Sequence, residues 1–156
     1  MHKLNHLINE LESLIPKYEC LDIRISKSPA GWHMEHTLLT LSLIIEQLKR
    51  SDPITYKWQF NFTRILVFTI NKIPRGRAKA PKVVQPKTDF NESTIKIHLD
   101  SVSKKIEELN LLKQDNYFEH PYFGNLNLKP TIKFLELHTK HHLSIIRDII
   151  RSKSSL

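Results

Sequence analysis

Glycine and cysteine are scarce in this sequence, with three Gly and one Cys in 156 residues. Hairpin turns and bulges draw on glycine. Its scarcity, together with few alternating apolar/polar runs, argues for helices over sheets. The single cysteine, Cys20, excludes an internal disulfide framework and fits a reducing compartment, so a cytoplasmic location is expected. Nothing beside Cys20 in the sequence would activate it as a nucleophile, and it reads as inert packing. No apolar run reaches the roughly 20 residues that a bilayer span needs. The start, Met1 to Asn5, leads into an amphipathic pattern instead of a solid apolar segment, so neither a signal peptide nor a membrane partner is expected. Internal repeats and low-complexity stretches are also missing.

What is present is ordinary in bulk, at 40% hydrophobic and 26% charged residues. That composition and length suit one globular domain over residues 1–156, with 152–156 frayed. The net charge of +8 admits a polyanion partner, an anionic substrate or merely a basic surface. Nucleic acid is disfavoured, because no recognised motif and no exposed aromatics interleaved with basic residues are evident.

Periodicity divides the chain into helices. Leu4, Leu7, Leu11, Leu14 and Tyr18 form a 3/4-spaced stripe, interrupted at Pro16, which predicts a kink or an end near Ile15. A loop over Ser26 to Gly31 precedes a second helix from about Trp32 to Arg50, apolar nearly all round and therefore central. Ser51-Asp52-Pro53 reads as a stop and a new cap. Trp58 to Ile73 is aromatic-rich, with Phe62, Ile65, Leu66, Thr69, Ile70 and Ile73 at helical core spacing. Residues 74–87 form a basic connection with three prolines and no acid, which is usually functional or disordered at such length. A third long helix is predicted over Asn91 to Leu112, an aromatic loop over Tyr117 to Gly124, and a last helix from Asn127 to about Arg151. The fold class is all-α: a four-helix bundle with a long crossover between its second and third helices, the crossover carrying an extra aromatic-rich helix. No strand is predicted.

The last helix carries the chemistry. His138 and His142 are four apart and fall on the stripe that runs through Thr131, Leu135, Ile145 and Ile149. Two imidazoles therefore stand where aliphatic side chains belong, and a buried imidazole needs hydrogen bonds or a metal to offset its lost hydration. On the second helix His36 lies on an apolar stripe one turn beyond Trp32. Three inward-facing imidazoles suit a metal with an open fourth position, as in catalytic zinc sites. The ordinary alternative is core histidines bonded to carbonyls or waters. His141 is one residue off the stripe and reads as exposed or as a donor to the pair. Glu35 is a weak candidate for a proton shuttle. His98 and His120 read as packing or surface residues, and His33 as solvent-facing. In the basic connection Arg75 and Arg77 are the candidate contacts for an anionic cosubstrate, against the plainer reading of a solvated loop.

Four stretches carry a family likeness: Ser28-Pro29-Ala30-Gly31-Trp32-His33-Met34-Glu35-His36, Pro74-Arg75-Gly76-Arg77-Ala78-Lys79-Ala80-Pro81-Lys82, His120-Pro121-Tyr122-Phe123-Gly124 and His138-Thr139-Lys140-His141-His142. In their order and spacing the chain resembles the DinB/YfiT-like superfamily of small bacterial metalloenzymes, in particular a branch of small DinB-like domains without assigned activity. The resemblance spans nearly the whole chain. It implies a four-helix bundle with a long crossover, often a homodimer. It also implies a divalent metal, zinc or nickel, on a second-helix histidine and the i, i+4 pair, here His36, His138 and His142. Characterised relatives are S-transferases and isomerases that use low-molecular-weight thiols. One departure stands out: in many relatives the second-helix ligand comes about two turns after the tryptophan, which here is Leu39, so His36 lies roughly 4.5 Å lower on the same face.

The expected function is a metal-dependent transferase or hydrolase of this type, acting on a small molecule with a thiol cosubstrate or water. The alternative is a non-catalytic helical-bundle binding protein with a vestigial metal pocket.

Overall fold

The computed structural model describes residues 2–76, 80–87 and 89–154, and it is mostly helical with one small two-stranded sheet. Helix α1 spans His2–Leu14 and buries Leu4, Leu7, Ile8 and Leu11. It stops where Pro16 cannot donate to the helical ladder, and the chain tightens into a 3-10 turn over Ile15–Lys17. Helix α2, Ala30–Arg50, starts two residues earlier than the pattern suggested and is buried on most of its circumference. Gly31 permits that start: a Cβ there would lie 2.6 Å from the Phe90 ring and 3.0 Å from the Tyr18 carbonyl, which already accepts the Gly31 N–H. The Asp52 side chain caps the next turn through the Ile54 N–H.

Helix α3, Phe62–Ile70, is nine residues long, capped by the Asn61 side chain and ended by Asn71 in the left-handed region. Of the core spacing read over Trp58–Ile73, only Ile73 packs against the core. Phe62, Ile65, Leu66 and Ile70 are exposed, and the buried residue of α3 is Arg64. Periodicity identifies an apolar face but not the direction it looks. The basic connection follows, with a 3-10 turn over Lys82–Val84 that buries Val84. Arg77 lies outside the described residues.

Helix α4, Glu92–Glu108, is opened by a capping box between Asn91 and Thr94 and buries Ile95, Leu99, Val102 and Ile106. The predicted aromatic loop is instead a hairpin, β1 Tyr117–His120 paired antiparallel with β2 Gly124–Asn127. The expectation of no strand is corrected here: runs of four residues are too short for alternation to register. His120 closes the hairpin, its Nδ1 accepting from the Tyr122 and Phe123 N–H groups, and Gly124 supplies the positive φ of 67°. Helix α5, Leu128–Ser154, extends three residues past Arg151.

Helices α1 and α2 each pack against both α4 and α5. Leucine and isoleucine from all four, with Phe118 and Leu126 of the hairpin, form one continuous core. No helix among the described residues is long and apolar enough to cross a membrane.

Candidate metal centre

The packing of α2 on α5 decides which histidines meet. On α5, Thr131, Leu135, Ile145 and Ile149 are buried as the stripe required. Between them the rings of His138 and His142 stand 4.6 Å apart by centroid. His36 arrives from α2 with its ring 4.6 Å from His142 and 5.1 Å from His138. One ring nitrogen from each of the three falls within 4.8 Å of the others. Tetrahedral zinc at roughly 2.0–2.1 Å from each nitrogen asks for separations of about 3.4 Å, so a gap at that limit has to close by about 1.4 Å.

Hydrogen bonds on the outer side of the cluster fix which nitrogens face inward. The Val84 carbonyl lies 2.8 Å from His36 Nδ1. A carbonyl only accepts, so Nδ1 carries the proton and Nε2 keeps its lone pair. His142 Nδ1 lies 3.0 Å from His33 Nδ1, and His33 Nε2 lies 2.9 Å from Ser26 Oγ. Two proton arrangements satisfy that chain. In one, Ser26 donates inward and His142 Nε2 ends up protonated. In the other, His142 Nδ1 donates to His33, His33 Nε2 donates to Ser26, and His142 Nε2 is left as a lone pair. Only the second makes His142 a ligand. His138 has no such partner: its Nδ1 is buried without a hydrogen bond. A buried imidazole nitrogen without a protein partner is available to an ion, so the donor set fits a divalent metal.

Electrostatics agree. Burial holds His138 and His142 well below the usual imidazole range, and the neighbouring histidines push the same way. Burial also lowers His36, opposed by its bond to Val84. His33 is brought down to about 4, chiefly by burial. Neutral imidazoles at physiological pH are what metal ligation requires. Trp32 stacks on His36 at 5.1 Å and 15°, and the Phe134 ring stands 5.7 Å from His138, so aromatic walls close two sides.

The remaining candidates scatter. His33 is not solvent-facing: it is 6% exposed, because the first turn of α2 is covered by the 22–28 segment and by α5. The available clue was its i, i+3 relation to His36, which places both on adjoining faces. Val84 carried no signal, since it contributes through its backbone. His141 is half-buried, edge-on to His142 at 5.0 Å, and lowered by burial. Glu35 turns to α4, where its carboxylate meets His98 Nδ1 at 2.8 Å, away from the cluster. His120 packs between Phe123 and Phe134. Arg75 lies on α5, its guanidinium donating to Ser144 and Asp148 at 2.5 and 2.8 Å, and close enough to bear on His33 and His141.

No family model matches the chain, and neither a curated protein nor a solved structure matches it.

Proposed function

We propose that this chain is a metal-dependent protein of the DinB/YfiT type. In that reading α1, α2, α4 and α5 form a four-helix bundle, α3 rides on the crossover, and His36, His138 and His142 hold one divalent ion, zinc or nickel. The supporting observation is the convergence of three neutral imidazoles from two helices, with His138 Nδ1 buried and lacking any hydrogen-bond partner. A bound ion there supplies Lewis acidity toward a water or a thiol cosubstrate.

The chain's own groups do the rest. The Val84 carbonyl holds the His36 ring so that Nε2 faces the cluster. His33 does the same for His142 and passes its own proton contact to Ser26. Trp32 and Phe134 keep bulk water off the rings. Arg75 places a cation at the rim, suited to an anionic group of a cosubstrate, and Asp148 keeps it there. Transfer to or from a thiol and hydrolysis both fit this arrangement. Half-buried Leu39 favours the second reading, a non-catalytic binding protein, because it offers no ligand where relatives of this type carry theirs.

The test is the metal content of untagged protein after dialysis, by elemental mass spectrometry. A stoichiometric divalent ion is expected. His138→Ala and His142→Ala are each expected to retain less than about a tenth of it while keeping the helical circular-dichroism spectrum, since each removes one of three ligands. No retained metal, and none taken up on titration with zinc or nickel, would overturn the proposal and leave the binding-protein reading.

A further inference from the structure

Helix α3 keeps Val67 and Phe68 against the core but turns a second apolar face outward. Its buried residue is Arg64, whose guanidinium donates to the carbonyls of Gln59, Phe123 and Asn125 at 2.5, 3.4 and 3.2 Å. Its Phe62, Ile65, Leu66 and Ile70 point outward at 68, 44, 46 and 60% exposure. Just before the helix, Trp58 and Phe60 are 64 and 69% exposed. Spacings of three, four and eight put the four helix residues on one face. Packing of Val67 and Phe68 accounts for the inner side of α3, but folding gives no reason for a second, exposed apolar face. Eight of the twelve exposed large apolar side chains among the described residues fall between residues 54 and 83.

The same stretch holds the charge. Residues 53–88 contain eight Lys and Arg and no Asp or Glu. The other 16 basic residues of the chain are matched by its 16 acids, so the whole net charge of +8 belongs to this segment. Lys57, Lys72, Lys82 and Lys87 are exposed and make no ion pair among the described residues.

We infer that α3 and the segment before it form a docking face for an anionic lipid surface. Aromatic and aliphatic groups enter the boundary of the acyl region while the lysines remain among the headgroups. A second copy of the chain is a poor occupant, because apposing two such faces brings like charge against like. Nucleic acid fits less well: Trp58, Phe60 and Phe62 are exposed rings on which bases can stack, contrary to the expectation from sequence, but Ile54, Ile65, Leu66, Ile70 and Val83 offer none, so most of the face gains nothing from bases. The face is pre-formed, since the Arg64 anchor and the Asn61 cap hold α3 without help from a partner. The domain lies on the bilayer and does not cross it. This inference is independent of the metal site.

The experiment is flotation of the full chain with vesicles of phosphatidylcholine alone or of equal parts phosphatidylcholine and phosphatidylglycerol. Binding to the anionic vesicles is expected to be at least ~10-fold stronger, and to weaken with salt. Phe62→Ser with Ile70→Ser, both surface changes, is expected to reduce it by ~10-fold or more with the fold intact. In a Trp32→Phe background, Trp58 emission is expected to shift to the blue on adding anionic vesicles. Three results would each overturn the inference. One is no flotation with anionic vesicles at low salt. Another is unchanged binding by the Phe62/Ile70 variant. The third is a solution dimer, or a single-stranded oligonucleotide complex, that the same variant dissolves.

Discussion

His33 and His142 share a hydrogen bond through like atoms, Nδ1 to Nδ1 at 3.0 Å, so one ring must give and the other take. The direction of that bond decides whether His142 offers its Nε2 lone pair. His33 is thus a positioning residue for the cluster. Outer partners of histidine ligands commonly carry a 10–100-fold effect on metal affinity. His33→Ala is expected to weaken zinc affinity within that range, measured by chelator competition, while His33→Gln, whose amide can accept from His142, recovers part of it. A Ser26→Ala change is expected to have a smaller effect in the same direction, because it removes the acceptor of the His33 Nε2–H but leaves the His33–His142 bond in place. Full affinity in His33→Ala would mean that His142 holds its tautomer unaided.

At the scale of elements, Gly31 is the tightest joint. Its backbone sits under the Phe90 ring and donates to Tyr18, locking the start of α2 to the turn after α1. Gly31→Ala is expected to lower stability by about 1–3 kcal/mol, read from urea denaturation, because the Tyr18 carbonyl is backbone and cannot swing aside. Much of the element plan was legible. The 3/4 stripes of α1, α4 and α5, the break at Pro16 and the three histidines facing inward all follow from spacing. Other features were not legible, for separate physical reasons. The hairpin strands are too short to show a period of two. The outward face of α3 has the same periodicity as an inward one, and the anchoring of Arg64 by three carbonyls and the packing of Val67 and Phe68 on the core distinguish them. The burial of His33 was not legible because it lies in the first turn of α2, beside a loop, and only the folding back of the 22–28 segment and the approach of α5 enclose that turn.

For the molecule as a whole, buried neutral histidines make the metal-free fold sensitive to acid. His33 and His120 sit at about 4 when folded, by burial, against 6.5 for a free imidazole. Below about 6.5 the unfolded chain binds more protons than the folded one, so stability falls as pH drops from there toward 4 and is flat above. Each such group contributes a slope of about 1.4 kcal/mol per pH unit within that window. Urea midpoints of the metal-free protein are therefore expected to fall between pH 7 and pH 5, and His120→Phe is expected to show a shallower fall than the parent. A midpoint independent of pH over that range would contradict the burial of these rings.

His33 and His142, which meet in the cluster, are 109 positions apart in the chain. Closing so long a loop costs entropy before any contact rewards it. The complete three-ring site therefore exists only once α2 and α5 have docked, and an ion held by all three rings is not what starts folding. It acts on the way out instead: an ion held across that junction ties the two distant segments together, so loading is expected to slow unfolding far more than it speeds refolding.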